Sequence, residues 1–193
     1  MPKSPTGPVQ VLGICGSLRK ESYNHALLRA AMELAPADMV ITEFQGLGDI
    51  PPYNQDVQAT GDPDSVVRFK DAIRAADALL IATPEYNYGI SGVLKNAIDW
   101  ASRPPSETPL NGKPTALMGA STGASGTMRG QLALRQSFVF TNTPVLLKPE
   151  VYVSFAATRF DAELRLTDDK SRGFIRQLLE ALVTWTRRLT APS

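Results

Sequence analysis

Five short apolar runs along the chain alternate with longer segments whose apolar residues recur at helical spacing. The runs are Val9–Cys15, 39–44, Ala78–Ala82, Thr115–Ala120, and a pair of segments, 145–147 and Val151–Val153, that we take together as the fifth. Short apolar runs bounded by turn residues predict buried strands, and the periodic segments predict amphipathic helices. Strands that alternate with helices form a parallel sheet covered on both faces. The sequence therefore predicts an α/β fold with five strands and five helices.

The length of 193 residues fits one domain, which we expect over residues 9–190 after a disordered lead over residues 1–8. The net charge of +1 gives no basic field for nucleic acid or for a membrane surface. The single cysteine, Cys15, excludes an internal disulfide and a C-x-x-C motif. Because the chain has neither a secretory signal nor an apolar run of roughly 18 residues, we predict a cytoplasmic protein without membrane insertion.

Residues 46–61 form a long segment punctuated by glycine and proline. Loops of this length in a compact domain are often functional. The next two residues, Asp62 and Pro63, are typical of a helix start. We predict Asp62 as the N-cap and Pro63 as the first helical residue.

Ligands of open α/β sheets bind at the carboxyl ends of the strands, where three loops of this chain have unusual compositions. The first loop, residues 16–24, supplies hydroxyls, an amide and a guanidinium ahead of a predicted helix. The unpaired N–H groups of a helix N-terminus attract phosphate. The same composition also suits an ordinary capping loop, so the residues alone leave both alternatives open. The loop matches neither the dinucleotide fingerprint nor the P-loop.

The second loop, residues 84–87, reads Pro-Glu-Tyr-Asn, and the third, residues 121–126, is rich in Ser and Gly. The second loop offers amide and backbone groups beside an aromatic ring, as a flat ring ligand requires. It is also compatible with a surface turn in which Tyr86 and Tyr88 pack on a neighbour. The small residues of the third loop allow a flat ligand or another backbone to approach closely, although such turns are common.

At the first two loops the chain resembles the NADPH-dependent FMN reductase family of flavodoxin-like proteins, which includes quinone, chromate and azo-dye reductases. The family's Gly-Ser-x-Arg-x-x-Ser-x-Asn phosphate loop matches Gly16, Ser17, Arg19, Ser22 and Asn24, and its Pro-Glu-Tyr-Asn flavin loop matches residues 84–87. The similarity covers nearly the whole chain. It implies a flavodoxin-like three-layer sandwich with a five-stranded parallel sheet in the order 2-1-3-4-5.

The resemblance also implies a bound FMN. The cofactor-binding residues it implies are Ser17, Arg19, Ser22, Tyr23, Asn24, Pro84, Glu85, Tyr86, Asn87, Ser121, Thr122 and Gly123. Of these, Ser17, Arg19, Ser22 and Asn24 would hold the phosphate, and the other two loops would border the isoalloxazine. We interpret Glu85 as a residue that shapes the loop. Because the cofactor supplies the chemistry, we expect no catalytic side chain and no metal.

By the same resemblance, NADPH or NADH would pass hydride to the bound FMN. The reduced FMN would then reduce a second acceptor, which could be a quinone, an azo dye, a metal oxyanion such as chromate, or free flavin, by a ping-pong mechanism. The alternatives are a non-enzymatic flavodoxin-type electron carrier, against which the balanced charge argues, and a flavin-dependent redox sensor. Relatives form dimers and often tetramers, so a homodimer or homotetramer is implied. Tyr86, Arg129 and Glu150 are candidate groups at a subunit contact or on the substrate side.

The only cysteine and the only histidine of the sequence do not suggest a nucleophile and base pair. Cys15 belongs to an apolar run, and free cysteines are among the most buried residues, so we expect a core thiol. We expect His25 to be either a solvated residue or an N-terminal helix residue rather than a base.

Overall fold

A five-stranded parallel sheet forms the centre of the computed structural model, which describes residues 7–191. The strands are β1 (Val9–Cys15), β2 (Met39–Glu43), β3 (Ala78–Ala82), β4 (Thr115–Ala120) and β5 (Val151–Val153). Their order is β2-β1-β3-β4-β5, and every neighbouring pair is parallel. The predicted flavodoxin-like fold and its strand order are confirmed. Most of the predicted disordered lead, residues 1–6, lies outside the described residues.

Six α-helices connect or follow the strands in the described part of the chain. They are α1 (Tyr23–Glu33), α2 (Gln55–Ala59), α3 (Asp64–Ala75), α4 (Gly92–Ala101), α5 (Met128–Phe140) and α6 (Asp169–Thr190), with short 3₁₀ turns at Leu47–Asp49, Pro105–Glu107 and Ala156–Thr158. The short α2 within residues 46–61 was not predicted, because none of its residues is buried and it carries no apolar periodicity. Between residues 7 and 191, no helix combines the length and the apolar character of a membrane span.

Helices cover both faces of the sheet, and each face has its own apolar core. On one face, α1 and α6 contribute residues such as Leu28 and Leu179. On the other, α3 and α4 contribute Phe69 and Trp100. Every residue of the central strand β3 is buried, and its side chains alternate between the two cores. Since both faces are covered, the strand ends remain as the places where a ligand can reach the sheet.

The predicted fifth strand was too long. Val145 makes only an isolated parallel bridge to Thr115, and Leu147 is 72% exposed. Prolines at positions 144 and 149 flank this segment, and proline has no N–H to donate to a strand ladder. The second strand is also one residue shorter than predicted, because it ends at Glu43.

The predicted capping role of Asp62 is wrong. The N-cap of α3 is Pro63, which makes no side-chain capping bond, and the helix begins at Asp64. The carboxylate of Asp62 instead accepts a hydrogen bond from the ammonium of Lys70, whose residue is only 3% exposed. A buried ammonium needs a charged partner, and this requirement outweighs the local preference of aspartate for the capping position.

Candidate functional site

Three loops meet in a cleft of about 160 Å³ at the carboxyl ends of β1, β3 and β4. The cleft lies where the order of the strands reverses, between β1 and β3. Its lining consists of Ser17, Arg19, Ser22, Tyr23, Asn24, Pro84, Glu85, Tyr86, Ala120, Ser121 and Thr122. The structure therefore brings together every predicted cofactor-binding residue except Asn87 and Gly123, which lie outside the lining. Ala120 was not predicted.

The two serines of the first loop have hydroxyl protons left to donate. Ser22 is the N-cap of α1, and its Oγ accepts from the backbone N–H groups of Asn24 and His25 at 3.2 and 3.3 Å. Ser17 Oγ accepts from the N–H of Arg19 at 3.4 Å. A hydroxyl that accepts in this way still carries its own proton. Both serines can thus donate to an anion in the cleft.

The charge distribution at the first loop also favours an anion. The guanidinium of Arg19 is exposed and makes no hydrogen bond or ion pair with another residue of the described chain. Helix α1 has 11 residues and no acidic side chain in its first turn, so the positive end of its dipole is not neutralised there. A guanidinium, two hydroxyls and a helix N-terminus together suit a phosphate group.

Asn24 makes contacts that sequence reasoning did not foresee. Its Oδ1 accepts from the backbone N–H of Ala120 at 2.9 Å, and its Nδ2 donates to the carbonyl of Ala120 at 3.0 Å. The residue is 4% exposed, so these bonds are shielded from water. The amide therefore joins the first turn of α1 to the last residue of β4, where the third loop begins.

The second loop is attached to α5 through Glu85. Its Oε2 accepts from the backbone N–H of Gly130 at 2.9 Å, and the side chain is only 9% exposed. Arg129 Nη1 lies 3.7 Å from Oε1 of the same carboxylate. The contacts of Glu85 are those of a residue that shapes the loop.

A strained turn follows at the rim of the cleft. Tyr86 and Gly89 exchange two backbone hydrogen bonds, at 3.0 and 2.9 Å. Between them, Asn87 and Tyr88 both have positive φ values, 50° and 63°. Residues other than glycine rarely adopt this conformation, and it is concentrated at functional sites. The rings of Tyr86 and Tyr88 are more than half exposed, and the guanidinium of Arg129 lies 4.1 Å from the centre of the Tyr88 ring.

A second cavity of about 390 Å³ adjoins the cleft. It shares Ser17, Arg19 and Tyr86 with the cleft and is otherwise lined by Gly16, Leu18, Ser91, Gly92 and Val93. Sequence reasoning missed the residues at the start of α4. The available signal was a serine directly before the helix, and in the structure Ser91 Oγ donates to the carbonyl of Gly16 at 2.6 Å. Cleft and cavity together give a space with a polar end and a more apolar end.

The third loop is fixed by backbone contacts with the end of β5 and with the segment that follows it. Ser121 donates its N–H to Val153 and accepts from the N–H of Ala156, both at 3.0 Å. Just before the loop, a Cβ on Gly119 would lie 2.1 Å from Thr127 Oγ1 and 2.4 Å from the carbonyl oxygen of Thr83. Within the loop, a Cβ on Gly126 would lie 3.1 Å from the backbone carbonyl carbon of Tyr152, so a small residue there permits the close approach of a neighbouring backbone, one of the two alternatives that the sequence left open.

The single thiol and the single imidazole do not form a catalytic pair. Cys15 is 4% exposed, and burial raises the pKa of its thiol to about 12, so it is a core thiol as predicted. His25 lies in the first turn of α1, as predicted, but it is not simply solvated. Its Nδ1 is 2.8 Å from Oε1 of Glu43.

Glu150 lies outside the lining of the cleft. Its carboxylate accepts from Lys148 at 2.6 Å and from the hydroxyl of Tyr152 at 2.8 Å. The hydrogen bond from Lys148, followed by that from Tyr152, lowers the pKa of Glu150. Burial, with the neighbouring carboxylate, raises the pKa of Tyr152 to about 12. Its partners Lys148 and Tyr152 also lie outside the lining of the cleft.

The fold and the cleft define a flavodoxin-like α/β protein with a loop of hydrogen-bond donors at the switch point of its sheet. Residues 9–158 match the model of a family described as NADPH-dependent FMN reductase. The chain belongs to the NADPH-dependent FMN reductase family, whose members are oxidoreductases that work with FMN and NAD(P)H.

Two curated relatives and one solved structure are similar over nearly their whole lengths. An NAD(P)H-dependent FMN reductase of Pseudomonas aeruginosa is 58% identical over 181 residues, which cover 94% of this chain and 97% of that protein. A quinone reductase of Pseudomonas putida is 42% identical over 174 residues, which cover 90% and 92%. The structure of FerB, a flavoenzyme NAD(P)H:(acceptor) oxidoreductase from Paracoccus denitrificans, superposes with a TM-score of 0.84 at 37% identity and covers 93% and 98%.

Proposed function

We propose that the protein transfers hydride from NADPH or NADH, through bound FMN, to a second small acceptor such as a quinone. The observation that carries the proposal is the set of donors at the start of α1: Ser17, Arg19 and Ser22 line one cleft, and the guanidinium has no partner among residues 7–191. FMN, when bound, supplies the chemistry of accepting and donating hydride. The protein's own residues bind and orient it.

The polar end of the cleft is the proposed phosphate site. Ser17 and Ser22 would each donate a hydroxyl proton, and Arg19 would supply a charge-assisted bond from its guanidinium. Tyr23 and Asn24 complete the lining of this end. Half a unit of positive charge at the helix N-terminus adds to the attraction.

The isoalloxazine is proposed to lie along the second and third loops. Pro84, Glu85, Tyr86 and Asn87 would border one edge of the ring, and Ser121, Thr122 and Gly123 another. Glu85 holds the second loop on α5, so it positions the ring without exchanging a proton with it. The adjoining cavity, which Tyr86 shares, has room for the ring of a co-substrate.

We propose that the nicotinamide and the acceptor enter the same open side of the site in turn, which gives ping-pong kinetics. A quinone is the acceptor that the curated Pseudomonas putida relative suggests. Azo dyes, chromate and free flavin are further candidate acceptors. We also propose that residues 9–190 form one FMN-binding domain and that the protein works in the cytoplasm, where its single thiol stays reduced.

One spectroscopic experiment tests the proposal. FMN is added to the purified full chain, its visible spectrum is recorded, and NADPH or NADH is then added without oxygen. We expect a bound flavin spectrum that bleaches with the nicotinamide and returns when a quinone is added. A chain that binds no flavin contradicts the whole proposal, whereas a bound flavin that neither nicotinamide bleaches identifies an electron carrier instead.

We further propose that the protein is a homodimer or homotetramer. Helix α5 carries a stripe of outward apolar residues, with Met128, Leu132 and Val139 exposed by 41%, 55% and 80%. Their spacing of four and seven residues puts them on one side of the helix, next to Arg129. Light scattering after gel filtration measures the oligomer, and Val139→Lys should lower its mass. An unchanged mass would exclude this stripe from the contact.

A further inference from the structure

The side chain of Asn24 connects the first turn of α1, which follows the first loop, to the last residue of β4, which precedes the third loop. Its two hydrogen bonds to Ala120 use one donor and one acceptor of the amide and satisfy the N–H and the carbonyl of the same backbone residue. The two residues are 96 positions apart. Such a reciprocal pair fixes both the distance and the orientation between two backbone segments.

The surroundings of Asn24 make this connection rigid. Asn24 is 4% exposed and Ala120 is 3% exposed, so water does not compete for the bonds. The N–H of Asn24 itself is held by Ser22 at 3.2 Å. On the other side of the link, the residue after Ala120 pairs with β5 and with Ala156 through its backbone. The link thus joins the first turn of α1 to the end of β4, and the third loop that follows is itself anchored.

We propose that Asn24 is a positioning residue rather than a phosphate ligand: its amide sets the separation between the phosphate side and the ring side of the flavin site. The inference rests on the proposed FMN site. Without the link, Ser17, Ser22 and Arg19 remain present, but they are no longer held at a fixed distance from Ser121 and Thr122.

A phosphate ligand and a positioning residue differ in how they affect two flavins. Riboflavin has the same ring and ribityl chain as FMN but lacks the phosphate. Removal of a phosphate ligand weakens FMN binding and leaves riboflavin binding unchanged. Removal of a positioning residue weakens both, because the ring side of the site moves as well.

The experiment is a fluorescence titration of the full chain, freed of bound flavin, with FMN and with riboflavin. For Asn24→Ala we expect both dissociation constants to rise by about tenfold, so that their ratio stays near that of the wild type. Asn24→Asp is the near-isosteric second variant. Its carboxylate still accepts from the N–H of Ala120, but its second oxygen faces the carbonyl oxygen of Ala120 and repels it. This variant should therefore also weaken the binding of both flavins. Arg19→Ala serves as the phosphate-specific reference, with FMN binding weakened and riboflavin binding retained.

A matched variant separates positioning from a general loss of stability. Thr143 is 7% exposed, and its hydroxyl donates to the carbonyl of Leu110 at 2.9 Å, near the start of β4 and therefore away from the cleft. Thr143→Val removes a buried hydrogen bond and should leave both flavin affinities unchanged. If Thr143→Val also weakened the binding of both flavins, the effect of Asn24→Ala could be explained by lower stability alone, and the proposal would be overturned.

Two other results for Asn24→Ala would contradict the positioning role. A loss of FMN affinity with unchanged riboflavin affinity in Asn24→Ala would make Asn24 a phosphate ligand, and unchanged affinity for both would remove it from the site. Either result overturns this inference while the proposed function stands. Failure of the wild type to bind either flavin would overturn the proposed function, and this inference with it.

Discussion

The carboxylate of Glu85 accepts a hydrogen bond from the backbone N–H of Gly130 at 2.9 Å, across 45 residues of sequence. Thr127, the N-cap of α5, makes no capping bond with its side chain, so Glu85 acts as a cap supplied by another element. A negative charge is favourable at the N-terminus of a helix. A Cβ on Gly130 would lie 3.3 Å from that of Glu85, so the two elements are already in close contact.

Substitution of Glu85 should lower the free energy of unfolding without removing a group that the reaction needs. Glu85→Ala leaves the N–H of Gly130 without an acceptor, which should lower the free energy of unfolding in urea by about 1 to 3 kcal/mol. Glu85→Gln should cost less, because its amide oxygen still accepts. The pH profile of NADPH-dependent flavin reduction should be the same in Glu85→Gln as in the wild type. A variant that binds FMN normally but no longer reduces it would instead make Glu85 an essential acid.

Arg19→Ala should weaken FMN binding by about 1.5 to 3 kcal/mol, the value of a hydrogen bond to a charged group. The weaker binding is expected because Arg19 carries the only guanidinium in the lining of the cleft. Fluorescence titration measures it, and the loss should shrink at high salt. Arg176→Ala, on the exposed side of α6, is the matched control with one positive charge fewer. Equal FMN affinity in the two variants would remove Arg19 from the site.

Two glycine substitutions should have opposite effects on stability. In Gly119→Ala the new methyl group meets Thr127 Oγ1 and the carbonyl of Thr83, so the start of α5 and the end of β3 must move away from β4, at a cost of about 1 to 3 kcal/mol. Gly173 lies within α6, and a Cβ there would have no atom within 4 Å other than those of its own stretch of helix. Gly173→Ala should therefore stabilise the protein by about 0.5 to 1 kcal/mol through helix propensity. Thermal unfolding measures the stability of both variants. A Gly119→Ala variant as stable as the wild type would show that Thr127 and Thr83 can move away from β4 at little cost.

The N-cap of α6 should make stability depend on pH in a defined direction. Asp168 accepts from the hydroxyl and the N–H of Ser171, at 2.6 and 2.9 Å, and these bonds hold the pKa of its carboxyl below the ordinary value. A lowered native pKa stabilises the fold at neutral pH, and this contribution disappears as the pH falls through that pKa.

Asp168→Ala should therefore cost about 1 kcal/mol at neutral pH, the usual value of an N-cap. The difference from the wild type should narrow below about pH 4, where the carboxyl begins to bind a proton in the unfolded chain. Urea unfolding at several pH values measures both free energies. A difference that stays constant down to low pH would mean that the charge of Asp168 does not contribute.

The strands at the centre of the sheet could be predicted from sequence because burial on both faces leaves a continuous apolar run. The limits of β1, β3 and β4 match the prediction to the residue. The errors occur where burial is incomplete or a distant partner intervenes. Leu147 is apolar but exposed, and Asp62 was assigned to a cap although Lys70, eight residues later, binds it.

The sequence was sufficient to predict most of the residues that form the candidate site. It was not sufficient to predict the contacts that some of these residues make. Short motifs identify Ser17, Arg19 and Ser22 because these contacts are local to one loop. The links from Asn24 to Ala120 and from Glu85 to Gly130 join segments far apart in sequence, and no spacing rule within one motif specifies such a pair. The strained turn at Asn87 and Tyr88 is likewise a property of the assembled backbone.

The separation between Asn24 and Ala120 also sets an order of events during synthesis. The first loop leaves the ribosome when most of the sheet has yet to be made, and its amide has no partner until β4 has been added. A nascent chain that ends before β4 contains the phosphate motif but lacks the contact that joins α1 to the third loop. On the proposed assignment, a nascent chain that has not yet added β4 therefore lacks one of the contacts that fix the flavin site.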